Sequence, residues 1–178
     1  MSWRRLVRDL LIAVGGATAL AFVIYWALNG LGQPYDLRAY YDVNLTDPYR
    51  QQDLATGAFL YTPPFALFGA VLHLLPFELV VTAWRLGQSA SLLLLAGPFA
   101  AFAVFTYPVA SELNLGNVNL YIALAAVVGL RWPAVWSFVL ITKPSCGVGL
   151  LWFVARRDWR ALRTALVVTA GFVVPASS

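Results

Sequence analysis

Four carboxylates, Asp36, Asp42, Asp47 and Asp53, fall within the 29 residues from Asp36 to Pro64, between long apolar stretches. The chain has only eight acidic residues in all, so half of its negative charge is gathered in one loop. A carboxylate beside a hydroxyl can take that hydroxyl's proton while its oxygen attacks carbon, which is general-base chemistry. Asp36 is the leading candidate because it stands where the chain leaves its first apolar run. Asp42 and Asp47 are weaker ones. Each is also readable as a solvated loop charge or a helix cap.

A second group of polar residues lies inside apolar surroundings. Lys143 is the one lysine of the chain and precedes Pro144 in an apolar run. An ionisable side chain at membrane depth is costly and is a functional candidate by default. A point cation there suits a phosphate group, although a lysine snorkelling to an interface would look the same. Arg85 and Glu112 are placed to pair with each other, or Arg85 to line a polar cavity. Gly116-Asn117-Val118-Asn119 reads either as a helix N-terminus whose N–H groups favour an anion or as an interfacial turn with an Asn cap. His73, in an apolar helix, fits a hydrogen-bonded packing role better than a catalytic one. Cys146 is the single cysteine, which excludes an intrachain disulfide. No metal-ligand spacing occurs, so no metal is expected. No glycine-rich nucleotide loop occurs either, so no cofactor is expected.

The elements that must hold these groups are set by composition. Hydrophobic residues make up 61% and charged residues 11%, against about 25% charged in a soluble domain, and the mean hydropathy is +0.74. Lipid is the solvent such a chain requires. The expected fold is all-α, a polytopic transmembrane helical bundle forming a single domain over residues 1–178. Runs such as Leu92–Phe105 lack the alternation of a β-barrel strand. The net charge is +4, and the arginines cluster beside apolar runs, at Arg4, Arg5 and Arg8 and at Arg156, Arg157, Arg160 and Arg163. That is the positive-inside pattern rather than a nucleic-acid surface, and it puts the N-terminus in the cytoplasm. Leu10–Tyr35 is uncharged over 26 residues, longer than the ~7–15 of a signal peptide's apolar core, and reads as a retained first span.

Along the chain, span 1 covers Leu10–Leu28. Residues 33–61 form the first extracytoplasmic loop, with short helices at Asp36–Tyr41 and Pro48–Thr56, a turn or N-cap at Thr46-Asp47-Pro48, and Tyr35, Tyr40, Tyr41 and Tyr49 as interfacial aromatics. Thr62-Pro63-Pro64 starts span 2, which is short unless it borrows residues from Leu54 onward. Glu78–Leu95 is span 3, closed by Gly97-Pro98. Phe99–Glu112 either crosses or only dips. Leu115–Leu130 is a further span, and Thr164–Pro175 begins another. With Arg4, Arg131 and Arg156 all in the cytoplasm, Ala134–Ala155 must be a hairpin with Lys143-Pro144 at its tip and Phe99–Glu112 must not fully cross; the alternative is one kinked helix from Pro133 to Val154, with Arg131 outside.

Read in order, Asp36-Leu-Arg-Ala-Tyr-Tyr41, Phe59-Leu-Tyr-Thr-Pro-Pro-Phe65, Leu75-Pro-Phe77, Leu115-Gly-Asn-Val-Asn-Leu120, Lys143-Pro144 and Arg156-Arg-Asp-Trp-Arg-Ala-Leu162 resemble the membrane mannosyltransferases of glycosyltransferase family 87. These use polyprenyl-phosphate-mannose and have a GT-C fold. The family shows Asp-x-x-x-Tyr-Tyr after the first span, Tyr-Pro-Pro, Gly-Gln-Val-Asn and Lys-Pro. Here Thr62 is inserted in the second motif, and Asn117 replaces Gln in the third. The resemblance implies that Asp36 is the catalytic base on the outer face, deprotonating a glycolipid or glycan acceptor so that its oxygen displaces polyprenyl phosphate with inversion. It also implies that Asn117, Asn119 and Lys143 line the cavity, that Lys143 or Arg85 contacts the donor phosphate, and that Tyr40, Tyr41 and Tyr61 shape the sugar and lipid entrance. Family members run to more than twice this length, so the chain reads as the N-terminal portion of a GT-C module, with a polyprenyl-phosphate-sugar donor and membrane lipid as its partners.

Two other classes fit parts of the pattern. A transporter or channel subunit would use the broken spans at Gly97-Pro98 and Lys143-Pro144 as a midplane site. A scaffold would oligomerise through Gly15-Gly16-Ala17, Ala19 and Ala21.

Overall fold

A computed structural model describes residues 3–29, 34–50 and 58–173, without the side chains of residues 18–20, 22–29 and 101. Asp53, the expected helix beyond Arg50 and the residues from Leu54 that span 2 would borrow lie outside the described residues. The described residues are all-helical. They divide into two compact units, Met1–Ala39 with Leu75–Tyr121, and Tyr40–Leu74 with Ile122–Ser178.

In the first unit, α1 (Trp3–Asn29) contains the expected first span. The next helix, α2, is Tyr35–Tyr41, as the sequence implies, and its first five residues belong to this unit. One helix of the second unit, α3 (Pro63–Leu72), comes between it and the rest of the first unit, which resumes with α4 (Phe77–Ala96). The α4 helix packs against α1 and ends at Gly97, whose φ of 54° is left-handed. A 3-10 turn (Gly97–Phe99) and α5 (Ala100–Ala103) follow and also pack on α1. Leu92, Ala100, Val104 and Leu113 form one buried apolar cluster. Together Phe77–Phe99 make a 23-residue helical stretch, apolar on average, about 35 Å long against a bilayer core of ~30 Å. Among the fully described helices this one is long and apolar enough to cross a membrane. Leu94 is 73% and Phe105 80% exposed, large apolar side chains facing outward as lipid-facing positions require.

Between Phe99 and Glu112 the structure has short pieces. After α5 comes a turn at Val104–Thr106, then α6 (Tyr107–Leu115), so no continuous helix crosses there. The expected span Leu115–Leu130 needs correcting. Gly116 ends α6, α7 covers Asn119–Gly129, and the two helices meet at 106°. The left-handed backbone of Gly116 breaks the helical ladder there.

In the second unit, α3 starts on paired prolines, which need no intrahelical N–H partner in the first turn. It has 10 residues and is preceded by non-helical Ala58–Thr62, so span 2 does not extend backward as a helix. After the 3-10 turn Pro133–Val135, α8 (Trp136–Thr142) stops at Lys143, which is extended (φ −132°, ψ 93°) because it precedes proline. A 3-10 segment (Pro144–Leu150) and α9 (Leu151–Ala155) complete the arm. Trp136 lies 6.2 Å from Phe153, ring to ring, and packs on Gly149, while Leu140 packs on Gly147. A continuous helix would set residues 136 and 153 about 25 Å apart, so the hairpin forms and the kinked helix does not. Each arm is too short to cross a bilayer alone. Asp158 caps α10 (Trp159–Val173), its Oδ1 accepting from the Ala161 N–H at 3.0 Å. That cap starts the helix five residues before the expected Thr164, so Arg160 and Arg163 are helical.

The hairpin closes because residue 149 has no side chain: a Cβ there would run into the Trp136 indole. Gly149→Ala is expected to lower stability by about 1–3 kcal/mol, the usual range for overpacking. Gly171→Ala, in α10 with open space around it, should be neutral or stabilising by up to about 1 kcal/mol. Thermal unfolding in detergent measures both.

Candidate functional site

Asp36 lies in the first turn of α2, half-buried, and its Oδ2 accepts a hydrogen bond from Asn117 Nδ2 at 2.7 Å. These two residues are 81 positions apart in sequence and were singled out independently. Gly116 makes their meeting possible in two ways. Its φ of 69° is left-handed, which disfavours any residue with a Cβ. A Cβ there would also lie 2.8 Å from Leu37 Cβ and 3.0 Å from Pro34 Cβ, so the α6–α7 turn rests directly on the start of α2. Asn119 Nδ2 donates to Glu112 Oε1 at 2.6 Å.

The Asn117 and Val118 N–H groups are already used, the first on the Glu112 carbonyl at 3.2 Å and the second on Asn117 Oδ1 at 2.7 Å. The segment is therefore an asparagine-capped turn, and the open anion cradle of the other reading does not form from these two groups. Arg85 is 6% exposed on α4. Gln88, one turn further on, is fully buried and donates from Nε2 to the carbonyls of Glu112 (3.0 Å) and Asn117 (2.7 Å). Sequence reasoning stopped at Arg85 and missed Gln88. The available signal was an amide in the middle of a membrane-length apolar helix, where polar groups are expensive.

In the second unit the tyrosines gather. Tyr40 is fully buried, which corrects its reading as an interfacial aromatic. Its hydroxyl is 2.7 Å from that of Tyr61, the rings meet edge to face at 4.9 Å, and Phe65 closes the other side at 5.4 Å. Tyr49 donates its hydroxyl to the Tyr61 carbonyl at 2.7 Å. Tyr41 stands apart from this cluster, its ring 4.6 Å from His73. His73 Nδ1 lies 3.1 Å from the Tyr41 carbonyl, the hydrogen-bonded histidine that the sequence suggested. Asn44 Oδ1 accepts from the Thr46 and Asp47 N–H groups, so Thr46-Asp47-Pro48 is a turn.

Lys143 Nζ lies over the Tyr61 ring, 5.5 Å from its centre, within cation–π range. The two border an open groove of about 580 Å³ with Tyr49, Thr62, Thr142 and Ser145. Thr62 does not cap α3; its hydroxyl donates to the Ile141 carbonyl in the last turn of α8, where carbonyls lack intrahelical partners. The threonine that departs from the Tyr-Pro-Pro pattern thus ties the start of α3 to the hairpin tip.

The first unit thus combines a membrane-length apolar helix with a carboxylate held by an amide. Residues 59–177 match glycosyltransferase family 87, well over half of the chain, and the chain belongs to that family. Asp36 precedes the matched stretch. A wider similarity covers 90% of the chain, which is 28% identical over 182 residues to the polyprenol-phosphate-mannose-dependent alpha-(1-2)-phosphatidylinositol pentamannoside mannosyltransferase of Mycolicibacterium smegmatis. That match takes in 40% of the relative, so the chain spans about two fifths of its length. No solved structure matches the chain.

Gly116 separates two physical effects. Gly116→Ala is expected to cost about 1–3 kcal/mol through its left-handed backbone and to crowd Leu37 as well. Gly116→Asn relieves the backbone cost but keeps the clash, so it should recover only part of the loss in thermal unfolding.

Proposed function

We propose that the protein is a multi-pass membrane glycosyltransferase of GT-C type that moves a sugar, mannose in the first instance, from a polyprenyl-phosphate donor to a glycolipid or glycan acceptor at the extracytoplasmic face. Asp36 is the general base. The observation that carries this reading is the Asn117–Asp36 hydrogen bond in a member of family 87: a carboxylate at the end of an apolar run, with its orientation fixed by a residue of another family motif. The relative's dependence on polyprenol-phosphate-mannose supports the donor class.

In the proposed reaction the Asp36 carboxylate takes the proton of the acceptor hydroxyl. The hydroxyl oxygen attacks the anomeric carbon from the face opposite the phosphate. The bond from that carbon to the phosphate oxygen breaks, and its electron pair leaves with polyprenyl phosphate. We assign Lys143 to the anionic phosphate, where a point cation is suited, and Arg85, Asn119, Tyr40, Tyr41 and Tyr61 to supporting roles in holding substrate. The positive-inside rule puts the N-terminus in the cytoplasm. The hairpin fits that orientation, since folding back returns Arg156 to the end of the arm that Arg131 begins.

Asp36→Asn keeps the size of the side chain and its capacity to accept from Asn117, and removes the base. Transfer of radiolabelled mannose from polyprenyl-phosphate-mannose to the acceptors of membranes containing the protein should fall about 10²–10⁴-fold, the usual worth of a general base. Transfer within a fewfold of the unsubstituted protein would sink the assignment.

A further inference from the structure

We infer that Gln88 is a positioning residue for Asp36, acting through Asn117; the inference rests on Asp36 being the base. Gln88 is fully buried on α4, far in sequence from both other members of the chain of contacts. Both acceptors at its Nε2 are carbonyl oxygens, 3.0 Å away on Glu112 and 2.7 Å away on Asn117, so its amide must present NH2 rather than oxygen to them. An amide of this kind is costly in an apolar helix, and a leucine would fill the space without that cost. What leucine would not supply is a hold on the backbone of residue 117.

That hold matters because of how the turn is built. The Glu112 carbonyl accepts from the Gly116 N–H, the Asn117 N–H and Gln88 Nε2. Three donors on one oxygen fix the end of α6. The Asn117 carbonyl accepts from Gln88, while the Asn117 side chain points the other way, its Nδ2 on Asp36 and its Oδ1 on the Val118 N–H. Without Gln88 the Asn117–Val118 peptide loses its fixed carbonyl, and rotating that peptide swings Nδ2 off the carboxylate. Gln88 therefore sets the direction of the Asp36 oxygens without touching substrate.

The test is Gln88→Met, which keeps length and loses both bonds, and Gln88→Glu, which keeps shape and replaces the donors. Each is assayed in the full protein for kcat and for KM with polyprenyl-phosphate-mannose, and each is crossed with Asn117→Ala. The expected result is a fall in kcat of about 10- to 100-fold, the scale of an ångström-level misplacement, with KM changed less than about twofold. The double variants should be no worse than Asn117→Ala by more than about twofold, because residues acting as one unit are non-additive. Effects that multiply, a change confined to KM, or loss of folding in both Gln88 variants would overturn the inference. Asp36→Asn, run alongside, separates the two possible failures. Retained activity there would overturn the base assignment and this inference together. An inactive Asp36→Asn beside an unaffected Gln88→Met would overturn the inference alone.

Discussion

A helix that breaks inside apolar surroundings leaves carbonyls that water does not reach, and this chain is organised by how those carbonyls are satisfied. The clearest case is the end of α6. Gly116 turns the chain left-handed, the Glu112 carbonyl takes three donors, and the Asn117 carbonyl takes one from Gln88. An unpaired buried carbonyl costs on the order of 1–3 kcal/mol, so the turn has one favourable arrangement. In that arrangement the Asn117 amide is delivered to Asp36. The orientation of the candidate base is thus a by-product of satisfying a helix terminus.

The same economy governs the second unit. The Ile141 carbonyl, in the last turn of α8, is met by Thr62, which brings the Tyr61-Thr62-Pro63 segment to Lys143. The hairpin then depends on small residues opposite large ones, Trp136 against Gly149 and Leu140 against Gly147. Tyr40 and Tyr61 bury their hydroxyls against each other and so carry polar atoms into an apolar cluster without leaving them unmatched. Lys143 thereby lies over the Tyr61 ring at the border of an open groove that also presents hydroxyl groups.

Much of this was legible in the sequence, for identifiable reasons. Proline and glycine punctuation located the start of α3, the end of α4 and the break at Lys143, because these residues act through local sterics alone. Parity of the arginine clusters pointed to the hairpin before Trp136 and Phe153 were seen to meet. The start of the expected span Leu115–Leu130 was set four residues before that of α7, because hydropathy does not resolve where a helix begins beside a left-handed turn. Gln88 carried a signal only as a polar residue in an apolar helix; the two carbonyls it holds are backbone groups, which the sequence does not single out. The pairing of Asp36 with Asn117 was present only as two separate motifs; the fold supplied the contact.

The central claim is that Asp36, held by Asn117, takes the proton of the acceptor. The most direct measurement is a structure of the protein in lipid with a non-reactive donor analogue and a bound acceptor. The account predicts the attacking hydroxyl within about 2.6–3.2 Å of the Asp36 carboxylate, with Asn117 still donating to it. An acceptor hydroxyl resting instead against another carboxylate, with Asp36 facing no sugar, would contradict it.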